Sequence, residues 1–176
     1  MSERTTVKEP EGKQFPLTPA GLHSAVCVDV WDVWTEERPQ QYGGGLVDKV
    51  RLVWLITDEK DEETGDDLYI SKMYTASLHE KANLRKDLAS WRGRDFTDKE
   101  RKAFDLEALI GVNCQLSVAH KVSETNGKTY ANVVSIVPAA KGSKKFGVPD
   151  GFVRHRDKAK DDDSGTSQVT GDDIPF

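Results

Sequence analysis

Val112-Asn113-Cys114-Gln115-Leu116-Ser117-Val118-Ala119-His120-Lys121 is followed, after four residues, by Asn126-Gly127 and then by Tyr130-Ala131-Asn132-Val133-Val134-Ser135-Ile136-Val137-Pro138. The first run alternates: Val112, Cys114, Leu116 and Val118 fall on one side, Asn113, Gln115, Ser117 and Ala119 on the other, the period of a half-buried strand. Asn-Gly supplies the two left-handed positions of a tight hairpin turn. The second run is rich in β-branched residues and ends at a proline, which cannot donate to a ladder. An antiparallel hairpin is expected here, and it needs further strands to bury its apolar side.

Those strands lie upstream. Gly21 to Trp34 places Leu22, Val26, Val28 and Val30 on one parity, expected to face the core, with Trp31 and Val33 on the other. Glu36 to Leu46 contains Arg38-Pro39 and Gly43-Gly44-Gly45 and reads as a flexible connection carrying Tyr42. Val50 to Thr57 is apolar on both parities, as a central strand is, with Lys49 and Arg51 at its start. Leu68 to Tyr74 is a third strand, in which Ile70 faces the core and Tyr69, Lys72 and Tyr74 are expected at exposed or groove positions. Ser77 and Glu80 have the spacing of a capping box, Leu84, Leu88 and Trp91 recur at helical spacing, and Gly93 supplies the stop. Thr97 and Glu100 form a second such box ahead of Phe104, Leu106, Leu109 and Ile110. The order is three strands, a helical insert from Leu78 to Ile110, and two strands. That is the order of a five-stranded oligonucleotide/oligosaccharide-binding (OB) barrel with a helix between strands 3 and 4, whose binding face uses strands 2 and 3 and the loops after strands 1 and 4. The expected division is a loose leader over residues 1–14, the barrel over 15–138, and a disordered tail over 139–176.

A chain of 176 residues is sized for one such domain with appendages. No apolar run approaches the roughly 20 residues that span a bilayer, and the start of the chain has no apolar signal segment, so a cytoplasmic protein without membrane attachment is expected. Cys27 and Cys114 sit in apolar runs outside any Cys-x-x-Cys spacing, and His23, His79, His120 and His155 show no ligand pattern. Buried thiols, no metal and no cofactor are expected. The formal charge of -5 opposes simple phosphate binding. After Pro138, however, seven basic residues balance seven acidic ones, so the deficit lies in the body, much of it in Asp58 to Asp67. An acidic loop that projects away from a groove leaves the sign of the groove's potential open.

Asp172-Asp173-Ile174-Pro175-Phe176 follows a stretch with few apolar residues. A ring and a carboxylate on Phe176 fit a shallow apolar pocket with a basic rim; Pro175 limits the conformations lost on docking, and the aspartates add attraction. These residues resemble, nearly one for one, the acidic C-terminal tip of bacterial single-stranded DNA-binding proteins. The resemblance implies recruitment of replication, recombination and repair proteins to coated single strands. The body does not resemble the barrel of those housekeeping proteins. It looks like a phage-type single-stranded DNA-binding protein, on Trp54, the Tyr74-Thr75-x-Ser77-Leu78 run and the Leu88-x-x-Trp91-x-Gly93 run. Relatives of the tail act as oligomers; a homo-oligomer is admitted, but without likeness in the barrel that property does not carry over.

Sequence-independent binding of a single strand needs flat side chains under the bases and cations along the backbone. Trp31, Trp34, Tyr42, Tyr69 and Tyr74, interspersed with Lys49, Arg51 and Lys72, are the expected DNA contacts on the first three strands. Lys121 and Lys128 flank the last hairpin. Trp54 and Trp91 are expected in the core. Two other readings compete. A magnesium nuclease built on Asp58, Asp61, Glu62, Glu63, Asp66 and Asp67 would string its ligands along one loop instead of converging them from fixed elements. An OB-fold adaptor of a phage replication or recombination module, binding protein and not DNA, draws on the net acidity.

Overall fold

A computed structural model describes residues 17–158; the leader and the Asp172–Phe176 tip fall outside the described residues. The protein is mainly β. Six strands, β1 (Gly21–Val30), β2 (Trp34–Glu37), β3 (Leu46–Lys60), β4 (Asp67–Thr75), β5 (Asn113–Val122) and β6 (Thr129–Pro138), form one antiparallel sheet. β3 is its hub. One edge of β3 pairs with β2 over Leu46 to Lys49 and with β1 over Leu52 to Ile56, while the other edge pairs with β4. β1 pairs in turn with β5, and β5 with β6. β4 and β6 touch but share no ladder, so hydrogen bonding does not close the sheet.

The expected strand from Gly21 to Trp34 is two strands. The β1–β3 register shifts between Cys27 and Asp29, and the chain leaves β1 at Trp31 before rejoining the edge of β3 as β2. A bulge puts two residues against one and reverses parity beyond it, which simple alternation cannot show. Ala25, Cys27 and Val30 therefore face the main core with Leu52, Trp54 and Leu116. Val26 and Val28, expected on that side with Leu22 and Val30, point to the opposite face, and Leu22 is exposed.

Val26 and Val28 are nonetheless fully buried, because a later segment crosses over them. Phe146, Val148 and Phe152 pack on Val26, Val28, Val53 and Leu55 as a second apolar cluster. The Asn113 side chain fixes the start of this strap, donating to Phe146 O at 2.9 Å and accepting from Phe146 N at 3.0 Å. The domain boundary expected at Pro138 thus moves to at least Lys158. A polar average over residues 139–176 hid three large apolar side chains within seven positions, enough to hold a short segment on a sheet.

Helix α1 (Asn83–Arg92) lays Leu84, Leu88 and Trp91 on the core, packs against β4 and β6, and ends at Gly93 with φ 76°. Its start differs from the expected one. Ala82 is the N-cap and has no side-chain bond, while Ser77 Oγ accepts from His79 N at 3.1 Å in a separate turn. The Thr97–Glu100 box does form and starts α2 (Asp98–Lys102), followed by a 3-10 turn at Leu106–Leu109. Trp91 and Trp54 are both buried, their rings 6.1 Å apart, and Trp91 Nε1 donates to Asn113 O at 3.1 Å. No helix among the described residues is long and apolar enough to cross a membrane.

Both cysteines are free and buried. Burial pushes the Cys27 thiol up to about 12 and raises Cys114 as well. A thiol reacts as its thiolate. Iodoacetamide at pH 8 is therefore expected to leave both cysteines unmodified in the folded protein and to label both in denaturant, read by intact mass.

Candidate nucleic-acid interface

The two ends of β1 differ in character. Beyond Gly21 lie the acidic loop between β3 and β4 and the tip of the β5–β6 hairpin, because Ala25 pairs with Ile56 and Gly21 with Val118. His23 ties this end together: its ring contacts Asp58 Oδ1 at 3.1 Å and Pro19 O at 2.7 Å, while Asp58 Oδ2 accepts from Ser24 N. Asp61 accepts from Glu63 N and Thr64 Oγ1, folding the loop on itself. Among the described residues no three His, Cys, Asp or Glu side chains converge as a metal site would require.

At the Val30 end, β2 and the start of β3 extend as a two-stranded arm. Its loop carries a 3-10 turn at Gln40–Tyr42 and then Gly43, Gly44 and Gly45, all with positive φ. Only glycine takes three such conformations in succession at low cost. Tyr42 stands at the arm's end and is 68% exposed. Trp34 lies at its base opposite Lys49, and the Trp34 ring is 6.1 Å from that of Trp31. Arg51 places its guanidinium 5.0 Å from the centre of the Trp31 ring and donates to Ser71 Oγ at 2.8 Å. Burial lowers the Arg51 pKa. The guanidinium of an arginine remains charged at neutral pH regardless.

The strap arrives at the same place. Asp29 is buried, 2% exposed, and accepts from Arg154 Nε at 3.0 Å and His155 N at 2.8 Å. Arg154 also donates to Val30 O and, through both terminal nitrogens, to Glu107 at 2.9 and 2.8 Å. These bonds hold the Glu107 carboxyl below its ordinary range. Arg156 pairs with Asp32 and Glu107. Between the two arginines, the His155 ring stacks on Trp31 with centroids 3.7 Å apart and planes 10° from parallel.

Of the residues expected to contact DNA, Trp31, Trp34, Lys49 and Arg51 come together, with Tyr42 farther out on the same arm. Tyr69 is on the same face of β4 but leans on Phe152 of the strap, 5.7 Å between centroids. Lys72 and Tyr74 are a correction. They share the parity of Leu68 and Ile70 and point inward: Tyr74 is 2% exposed, and both donate to Asp87 Oδ2 of α1, at 2.6 Å from the tyrosine and 2.8 Å from the lysine. The β3–β4 register is regular from Lys49 to Leu55, so no bulge turns them out. A ring and a cation spent on Asp87 inside the fold are not available to a strand on the outer face. Lys121 and Lys128 sit at the far hairpin, beside a hollow of about 420 Å³ lined by Lys121, Ser123, Glu124, Tyr130 and Asn132.

Sequence reasoning missed Arg154, His155, Arg156 and Tyr130. The signal for the first three was present in Phe152-Val153-Arg154-His155-Arg156, an aromatic and basic run just after Pro149 and Gly151. No protein-family model and no curated protein matches the chain.

Removing one partner of a buried ion pair leaves the other charge uncompensated. Arg154→Ala is expected to destabilise the protein by about 3 kcal/mol, measured by urea unfolding. Arg94→Ala, an exposed pair 3.7 Å from Glu100, is expected to change stability little in the same measurement.

Proposed function

We propose that this chain is a non-enzymatic protein that coats single-stranded DNA without sequence preference and recruits replication, recombination and repair proteins through Asp172–Phe176. The observation that carries the reading is the Trp31–Trp34 pair at the base of the arm whose loop carries the exposed Tyr42, with Lys49 opposite Trp34 and Arg51 over Trp31. Stacking surfaces next to cations are what a strand with exposed bases and a charged backbone requires, and each stacked base contributes roughly 1–3 kcal/mol. Much of the acid of the chain, Asp58 to Asp67, is at the other end of β1, and the arm itself is of mixed sign, with Glu36, Glu37 and Asp48 against Arg38 and Lys49 and with Arg51 next to its base.

The fold proposed with it is an OB barrel. β1 continued by β2 serves as its first strand, β3 and β4 as its second and third, and β5 and β6 as its fourth and fifth. Support comes from the contact between β4 and β6 and from α1 packing across both. In that frame the turn at the arm's end, with Tyr42 and the three glycines, is the loop after the first strand, and the hairpin bearing Lys121 and Lys128 is the loop after the fourth, the two loops that flank an OB binding face.

A protein-binding adaptor is favoured by one observation: the strap already covers part of the outer face, including Tyr69. Titration with oligo-dT at several salt concentrations separates the two. Coating predicts strong quenching of tryptophan fluorescence, with affinity falling as salt rises by a slope of about 0.7 per phosphate contacted. Trp31→Ala and Trp34→Ala are each expected to weaken binding about tenfold. Absence of quenching and of binding at low salt would leave the adaptor reading.

A further inference from the structure

Every other aromatic pair among the described residues is tilted or edge-on; His155 on Trp31 alone is parallel, at 3.7 Å. The ring that takes this position comes from the end of the strap and covers the indole that neighbours Trp34, 6.1 Å away. We propose that the slot His155 fills against Trp31 is a nucleobase subsite, and that the last turn of the strap vacates it when a single strand binds. This rests on the single-strand reading above and names how its site is occupied when no strand is present.

The bonding of the strap divides at Arg154. Up to that residue the segment is held by buried contacts: Phe146, Val148 and Phe152 on the sheet, and Arg154 on Asp29, Val30 O and Glu107. After it, the ties are one backbone bond from His155 N, the stack itself, and ion pairs from Arg156 to two partly or fully exposed carboxylates, Asp32 and Glu107. Exposed pairs of that kind hold weakly in water. A turn that swings away after Arg154 leaves the apolar cluster and the Asp29–Arg154 pair in place and gives up the His155 N bond to Asp29 Oδ2, the cost that the incoming strand has to offset.

A base has the better claim to the slot. Imidazole is the smallest aromatic ring a side chain offers, and a nucleobase covers more of an indole while keeping the parallel geometry already present. A strand also brings phosphates, which give Arg156 a substitute for Asp32 and Glu107. Displacement thus exchanges like for like: ring for ring on Trp31, and oxyanion for carboxylate on the arginine.

The test uses the full chain and fluorescein-labelled oligo-dT read by anisotropy. Emptying the slot with His155→Ala is expected to tighten binding about three- to tenfold, and filling it with the larger apolar ring of His155→Phe to weaken binding by a similar factor. A purely structural role for the stack predicts no such opposite pair. Hydrogen exchange of the unaltered protein gives an answer that does not depend on how the variants fold. Saturating oligo-dT should speed exchange at the His155 amide and leave the Phe152 amide, bonded to Pro149 O at 3.0 Å, unchanged. Tight binding of oligo-dT with the two variants alike and the His155 amide still protected would overturn the subsite and leave the single-strand reading standing. Failure of the unaltered protein and both variants to bind would overturn that reading, and the subsite with it.

Discussion

One buried carboxylate governs the outer face of this protein. Asp29 interrupts the run Val26-Cys27-Val28-Asp29-Val30-Trp31 and is 2% exposed. A carboxylate taken out of water costs several kcal/mol unless charge and hydrogen bonds compensate it. Compensation comes from 125 and 126 positions along the chain, as the Arg154 guanidinium on one oxygen and the His155 amide on the other. The bulge between Cys27 and Asp29 accompanies the change of face that keeps this carboxylate out of the main core. Where the strap ends is consequently set by β1, and so is the ring that meets Trp31.

What the sequence made legible follows from where periodicity survives. In β5, Cys114, Leu116 and Val118 are buried in alternation, and in α1 Leu84, Leu88 and Trp91 are buried at helical spacing, because both elements are regular and have one wet side. In β4 the alternation was equally good, and it placed Lys72 and Tyr74 inside. They read as groove residues only because their ends are polar, and a single acceptor on α1, Asp87, is what lets them be buried. β1 could not be read by alternation, since a bulge reverses parity within it and both of its faces are covered. The strap was lost to averaging: its three apolar anchors are diluted by the charged and small residues around them. Of the candidate site, the sequence pointed to the residues local to one hairpin, Trp34, Tyr42 and Lys49, together with Trp31 and Arg51 next to it. It did not reveal the residues that join it from the far end of the chain, for which only tertiary pairing with Asp29 supplies the reason.

Charge is sorted along β1 in a way the total conceals. Asp58 to Asp67 occupy the Gly21 end, where His23 and the folded turn at Asp61 hold them. At the Val30 end, Arg51, Arg154 and Arg156 meet Asp29, Asp32 and Glu107, so that region is a mesh of both signs. Within it the two kinds of pair are unequal. Arg154 is committed to a carboxylate that has no access to water, whereas the partners of Arg156, Asp32 and Glu107, are reached by solvent, and Glu107 is also held by Arg154. Under the proposed function, a phosphate backbone arriving here meets one arginine held by the buried Asp29 and a second, Arg156, held by two carboxylates that water reaches.

The strap also decides where the last described residue sits on the body. Lys158 closes the turn that begins at Arg154, its amide bonded to Arg154 O at 3.1 Å, so the last described residue is one turn from the ring stacked on Trp31. Asp172 follows it by fourteen positions. At a maximum advance of about 3.6 Å per residue, Asp172 lies within about 50 Å of that point and Phe176 within about 65 Å, whatever course the chain takes. Had the body ended at Pro138, as composition alone suggested, the same segment would have had more than twice as many residues of reach and would have started from the end of β6. Folding residues 139–158 back along the sheet shortens that reach and moves its origin to the arm. Under the proposed function, an enzyme held by the tip is therefore kept close to the strand on the arm by the same Asp29–Arg154 pair that positions His155.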